Sequence, residues 1–192
     1  MILLTLGLVL FLGVHSVRIV AEDFRARQIA RMGHNAWKGL YTLAAIVGIA
    51  LIVWGFGLAR RQPLVLWSTP PWLMHVAALI TIVAFVFVAA AYVPGNGIKA
   101  RLHHPMVLGV KVWAFAHLLA NNTLADVLLF GSFLLWSVLS FRAAKARDRA
   151  AGPSYPPGTA SRTLATIAIG IAAWAAIAFW GHAAFISVRP LA

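Results

Sequence analysis

Histidines are the residues of this chain best suited to chemistry, because seven of them occur in a sequence with no cysteine and only four acidic residues. Neutral imidazole is an axial ligand for haem iron, and two helices that offer imidazoles at one depth form a natural b-type haem site. His117 is the strongest candidate, since it lies inside the apolar run 112–120. For each histidine the alternative is an interfacial or hydrogen-bonded side chain without a ligand.

A second candidate region is the polar segment 99–111, which contains Arg101, His103, His104, Pro105 and Lys111. Its cations and imidazoles could hold an anionic group such as a haem propionate or a lipid phosphate, or could simply anchor the segment at the membrane surface. Lys111 lies about 9 Å beyond Pro105 along a helix. Its ammonium group either extends back to the interface or pairs with an anionic cofactor.

Asp126 stands near Asn121 and Asn122 at a predicted helix start. A carboxylate in the first turn of a helix favours capping of that helix, because the helix dipole is positive there. The alternative for Asp126 is a hydrogen bond that orients His117.

Composition predicts the elements that must position these residues. The chain is 62% hydrophobic and 10% charged, with a mean hydropathy of +0.88, whereas a soluble domain has about a quarter of its residues charged. Apolar runs at about 2–20, 39–59, 72–92, 105–120, 124–141 and 163–186 are mostly long enough to cross a bilayer. We therefore predict an all-α, polytopic bundle of about six transmembrane helices, forming a single transmembrane domain over residues 1–192.

The net charge of +12 is distributed as a topology signal and does not form a nucleic-acid-binding stripe. Across six spans, twelve cations fall on one side and three on the other, with Lys111 left inside the fourth span. The twelve-cation side is expected to be cytoplasmic, which places both termini in the periplasm. His15 then lies near the cytoplasmic end of its helix, and His75, His117 and His182 lie toward the outer ends of theirs.

Several unusual segments recur in order and resemble one family, the NnrU membrane proteins, which are associated with denitrification and nitric-oxide metabolism. The segments are Gly13 to Arg18, Trp37 to Tyr41, Leu51 to Gly55, Ile98 to Gly109 and Trp113 to Asn121. The resemblance covers about residues 6–142. The remaining residues, 143–192, are interpreted as an extra linker and a C-terminal helix.

The family is distantly similar to the plastid 15-cis-zeta-carotene isomerases, which use a b-type haem. That similarity implies haem b here, with His15 and His117 as its metal ligands, and a His-Pro pair at His104-Pro105. Helix rise conflicts with it, because His15 is expected about 20 Å from the outer face and His117 about 5 Å. His75 is nearer to His117 in predicted depth and stays an alternative ligand.

The leading hypothesis is therefore an inner-membrane protein that binds haem b for nitric-oxide-linked or redox-dependent, isomerase-like work. Its expected partners are the lipid bilayer and a hydrophobic small-molecule substrate, with no nucleic acid. One alternative is a membrane methyltransferase, because the pattern from Arg101 to Gly109 is similar to that of isoprenylcysteine methyltransferases. A cofactor-free assembly or scaffold protein is the other alternative.

Overall fold

The computed structural model describes residues 1–152 and 155–191, and most of this part of the chain is helical. The helices are α1 (Ile2–Val20), α2 (Glu22–Met32), α3 (His34–Ala59), α4 (Trp72–Tyr92), α5 (Gly97–Leu102), α6 (Pro105–Ala120), α7 (Leu124–Ala151), α8 (Ala160–Ala176) and α9 (His182–Ile186), with a π-helical turn at Ile177–Gly181 that joins α8 to α9. Beside them are two isolated β-bridges, Val65 with Thr123 and Asn96 with Thr159.

Five of these helical stretches are long and apolar enough to cross a membrane: α1, α3, α4, α7, and α8 continued through α9. The shorter apolar helix α6 has 16 residues and is about 24 Å long. Helices suit this environment because a lipid-exposed backbone must satisfy its own hydrogen bonds. The predicted all-α, polytopic membrane bundle is thereby confirmed.

The spanning helices pack in the order α3, α1, α7, α6, α4, α8, so that α7 lies between α1 and α6. Helices α1 and α3 approach closely because glycines face the contact: a Cβ atom on Gly55 would lie 2.2 Å from the backbone nitrogen of Leu4. Small residues drive helix association in membranes by allowing such close packing. The apolar cluster at this end of the bundle is formed by Leu4, Leu8, Ile52, Ala125, Leu129 and Phe130.

The connections are more helical than the apolar runs indicate. Helix α2 and the short α5 lie between the predicted spans, and α7 continues through residues 142–151, beyond the predicted span 124–141 and into the predicted linker. Residues 143–151 are mostly alanine, lysine and arginine, which favour helix. The extension ends at Gly152, whose φ of +57° and ψ of +46° form a left-handed C-cap.

The loop between α3 and α4 lies at the same end of the bundle as both ends of the described chain. It pairs with the turn before α7 through Leu66 N–H, which donates to the Asn122 carbonyl at 2.8 Å. Arg60 donates to the Ile186 carbonyl at 2.7 Å. The start of α1 also lies beside the C-terminal end of α3, so the first helix begins and the last helix finishes at the same end of the bundle.

Candidate functional site

His15 lies on α1 in an aromatic pocket that α3 and α7 complete. Its ring centroid is 4.3 Å from that of Phe11, 5.1 Å from Tyr41 and 6.0 Å from Trp136. The His15 Nδ1 atom is 2.6 Å from the Phe11 carbonyl oxygen, one turn earlier in the helix. Because a carbonyl can only accept, Nδ1 carries the proton of the neutral ring and Nε2 keeps its lone pair.

His117 repeats this arrangement on α6. Its Nδ1 atom is 2.9 Å from the Trp113 carbonyl oxygen, again one turn earlier. The ring is partly buried against Phe130 of α7, at 4.6 Å between centroids, and against Trp113 at 5.0 Å. The neutral ring therefore also offers Nε2, in apolar surroundings. Metal-binding histidines in proteins are commonly oriented by such a hydrogen bond from the other ring nitrogen.

Helix α7 brings the two imidazoles nearer in depth than we expected. His15 contacts Trp136 and His117 contacts Phe130, and these two α7 residues are separated by six positions. Six positions correspond to about 9 Å along a helix, compared with the expected difference of about 15 Å.

One aromatic side chain of α7 connects the surroundings of the two histidines. The Phe133 ring lies 5.8 Å from Phe11 on the His15 side and 5.6 Å from Trp113 on the His117 side. The two imidazoles therefore belong to one continuous aromatic region along α7.

Trp136 adds an unusual polar atom to the His15 pocket. Its indole Nε1–H is buried and has no hydrogen-bond partner among residues 1–152 and 155–191. Buried donors are rarely left unpaired, because losing water without a replacement costs about 1–3 kcal/mol. The atom therefore indicates a place where a ligand or a water molecule would be stabilised.

The other histidines lie outside this aromatic region. His75 at the start of α4 is exposed, as is His34 at the start of α3. His182 Nδ1 is 3.0 Å from the Val188 carbonyl oxygen in the C-terminal segment. Within the described part of the chain, no three His, Cys, Asp or Glu side chains group into a metal site.

His103 and His104 form a separate cluster with Asp148 and Tyr155 at the opposite end of the bundle from the α3–α4 loop. His104 Nε2 lies 2.8 Å from Asp148 Oδ2, and His103 Nδ1 lies 3.4 Å from the same oxygen. The Tyr155 hydroxyl donates to Asp148 at 3.2 Å and its ring stacks on His103 at 3.8 Å. Partial burial raises the pKa of the Tyr155 phenol, and the Asp148 charge and hydrogen bond raise it further, so the phenol remains a donor.

The turn that carries this cluster is strained at His103, which has a φ of +66° and a ψ of −47°. The His104 N–H donates to the Leu102 carbonyl at 2.8 Å, which closes a three-residue turn around His103. Such turns are rare for residues other than glycine, and strained residues are concentrated at functional sites.

The remaining residues singled out from the sequence have clear positions. Arg101 is exposed on α5, and Lys111 is partly buried on α6, six residues before His117. Asp126 caps α7: its Oδ2 accepts from the Thr123 N–H at 3.0 Å, and its own N–H donates to the Thr123 hydroxyl. Capping, and not orientation of His117, is therefore the role of Asp126 in the structure.

Sequence reasoning did not identify Tyr41, Trp136, Asp148 or Tyr155. The first two lie in apolar runs where an aromatic residue is ordinarily lipid-facing or core. Asp148 and Tyr155 lie in what we had interpreted as a linker. The one available signal for Asp148 was that it is the single carboxylate among the cations of 142–149. The two histidines that it contacts lie 44 and 45 positions earlier, and only the folded structure brings them together.

Apolar helices that pack side by side, with histidines enclosed by aromatic rings, define a polytopic α-helical membrane protein. A family model described as NnrU protein matches residues 3–190, and the chain belongs to that family. The match extends past residue 142 and includes the linker and the last spanning helix. Comparison with curated proteins finds no significant match, and neither does comparison with solved structures.

Proposed function

We propose that this NnrU-family membrane protein binds haem b through His15 and His117 and acts in redox or nitric-oxide-linked metabolism at the bacterial inner membrane. The observation that carries the proposal is the matching state of the two imidazoles. Each Nδ1 is held by the carbonyl one turn earlier, so each ring offers Nε2 in apolar, aromatic surroundings. This is the state that an axial ligand of haem iron requires.

The geometry favours His15 over His75 as the partner of His117. His15 and His117 both pack against side chains of α7, whereas His75 is exposed at the start of α4. The contacts along α7 also reduce the difference in depth that had favoured His75. His104 is a weaker candidate, since its Nε2 is occupied by Asp148.

The residues around the two imidazoles fit a porphyrin in chemistry, because they are predominantly aromatic and apolar. Phe133 lies between the surroundings of the two histidines, so it would have to move if His15 and His117 were to hold one haem. Haem held by two imidazoles supplies a one-electron redox centre. The protein contributes the orientation of both rings, the exclusion of water and the buried Trp136 N–H.

An absorption spectrum of the full-length protein, purified in detergent after expression with ample haem, tests the proposal. We expect a Soret band and sharp reduced α and β bands. His117→Gly and His15→Gly should each lose haem or become five-coordinate, and added imidazole should restore the six-coordinate spectrum because the free molecule can occupy the space of the deleted side chain and supply the missing nitrogen ligand.

His75→Gly is the matched control, since it removes an exposed imidazole from the same protein. Colourless wild-type protein that is monodisperse in detergent would contradict haem binding. A spectrum altered by His75→Gly but not by His15→Gly would keep haem and replace the ligand assignment.

A further inference from the structure

A cavity of about 660 Å³ opens at the end of the bundle opposite the α3–α4 loop, where α1, the α5–α6 turn, the α7 extension and the following linker meet. Its polar lining consists of Arg18, His104, Arg147, Asp148 and Tyr155. From this geometry we infer that the cavity binds a phosphate group, with Arg18 and Arg147 as the anion-binding residues. This site is separate from the proposed haem site.

The charge of the lining favours an anion. Two guanidinium groups and one carboxylate leave one net positive charge before any protonation of His104. The Asp148 carboxylate is already engaged by internal donors: His104 lies 2.8 Å away and the Tyr155 hydroxyl donates to both oxygens at 3.2 Å. These donors partly offset its negative charge, although Asp148 still lines the cavity.

The two arginines have only weak partners in the described structure. Arg147 Nη1 is 3.5 Å from the Arg18 carbonyl oxygen, at the limit of a hydrogen bond. Arg18 Nε is 3.9 Å from Glu22 Oε2, and the side chains of Arg18 and Glu22 are largely exposed. Guanidinium groups bind phosphate oxygens with paired N–H donors, which gives them a strong preference for this ligand over a simple chloride.

The rigid wall opposite the arginines indicates a built site. The His103 turn is strained, its ring is stacked on Tyr155, and its Nδ1 lies 3.4 Å from the Asp148 carboxylate. This wall holds His104 beside the cavity, with its Nε2 atom 2.8 Å from Asp148.

The position of the cavity along the bundle is compatible with two sources of the phosphate group. Asp148 lies seven residues beyond Phe141, where the apolar part of α7 ends, which is about 10 Å along the helix. The polar headgroup layer of a bilayer extends about 5–8 Å beyond the hydrocarbon on each side. Asp148 therefore lies just beyond the headgroup layer, where a soluble phosphate ester reaches the cavity directly and the long arginine side chains can extend back to the phosphate of an anionic lipid.

Binding to the full-length protein in uncharged detergent distinguishes these sources. The probes are short-chain phosphatidic acid and glycerol 3-phosphate, each titrated while protein thermal stability and a direct binding signal are recorded. We expect saturable binding of at least one probe that weakens tenfold or more in Arg147→Gln and in Arg18→Gln. Arg147→Lys, which keeps the charge, should retain part of the affinity.

Arg149→Gln is the matched control, because Arg149 carries the same charge on the same helix but is exposed and does not line the cavity. Equal losses in Arg147→Gln and Arg149→Gln, or no saturable binding of either probe, would overturn the proposal. Loss of the haem spectrum in monodisperse Arg147→Gln protein would also overturn it, since the cavity would then serve the haem propionates. Absence of haem in the wild-type protein would leave the expected phosphate titration unchanged.

Discussion

At the residue scale, the helix backbone determines which nitrogen a histidine offers. In His15 and His117 the carbonyl of residue i−4 binds Nδ1, so the other ring nitrogen projects away from its own helix. Trp136 is the complementary case, since its ring is packed but its N–H has no partner in the described residues. These atoms are the part of the aromatic region that is able to recognise a polar or metal-containing ligand.

Trp136→Phe separates the packing of the ring from the hydrogen-bonding capacity of its N–H, because phenylalanine keeps an aromatic ring and lacks the buried donor. We expect the haem-free variant to be as stable as the wild type or more stable by about 1 kcal/mol, since an unsatisfied buried N–H is removed. Haem retention should fall, because the group or water molecule that paired with the indole loses its donor. Thermal unfolding followed by fluorescence, together with the ratio of Soret to protein absorbance, measures both.

Trp54→Phe is the control for Trp136→Phe, because Trp54 is 63% exposed on the surface of α3. It should change neither quantity beyond the altered fluorescence. A clear loss of stability in haem-free Trp136→Phe protein would mean that the packing lost with the smaller ring, or an existing partner of the indole N–H, outweighs the removed unsatisfied donor.

At the element scale, close contacts between α1 and α3 support one side of the His15 pocket. Tyr41 belongs to α3, while His15 belongs to α1, so their separation depends on how these two helices pack. The glycines of the contact face backbone atoms at distances that leave no room for a side chain.

Gly55→Val should therefore separate α1 from α3. Its Cβ atom would lie 2.2 Å from Leu4 N, and overpacking of this kind costs about 1–3 kcal/mol. We expect a lower midpoint of thermal unfolding in detergent. Gly57→Val is the matched control on the same helix, because a Cβ atom there has no neighbour within 4 Å. If both variants destabilised the protein equally, the cause would be valine within the helix and not a clash at the α1–α3 contact.

At the scale of the whole molecule, the described part of the chain begins and ends on the side of the α3–α4 loop. The Arg60 hydrogen bond to Ile186 places the C-terminal segment there. The phosphate cavity lies at the opposite end, among the twelve cations. The positive-inside rule assigns that end to the cytoplasm.

Reporter fusions test this orientation. Alkaline phosphatase fused after Ala192 should be active, and green fluorescent protein at the same place should be dark, because both termini are expected in the periplasm. A chain truncated and fused at Gly152 should give the reverse pattern, which controls for expression. A bright C-terminal fluorescent fusion would mean that the orientation is reversed or that the number of crossings is odd.

Much of the secondary structure was predictable because it depends on local apolar composition. The run at 105–120 corresponds to α6, with Pro105 at its first turn and Asn121 at its C-cap. The helical continuation at 142–151 was not predicted, because its charged residues are equally typical of a loop. Its helix formers and the Gly152 cap decide the conformation, and both signals are weaker than a long apolar run.

The sequence by itself determined the class of protein and the position of each spanning helix, and it selected His117 as the first candidate ligand. These properties follow from the transfer of apolar residues into lipid and from the cost of an imidazole at that depth. Only the tertiary structure decided that His15 and His117 share an aromatic region along α7, and that Asp148 joins His104. Contacts between residues far apart in sequence depend on which helix faces pack together. A helix that is apolar on all sides has no polar face from which its orientation could be predicted, so side-chain packing decides it.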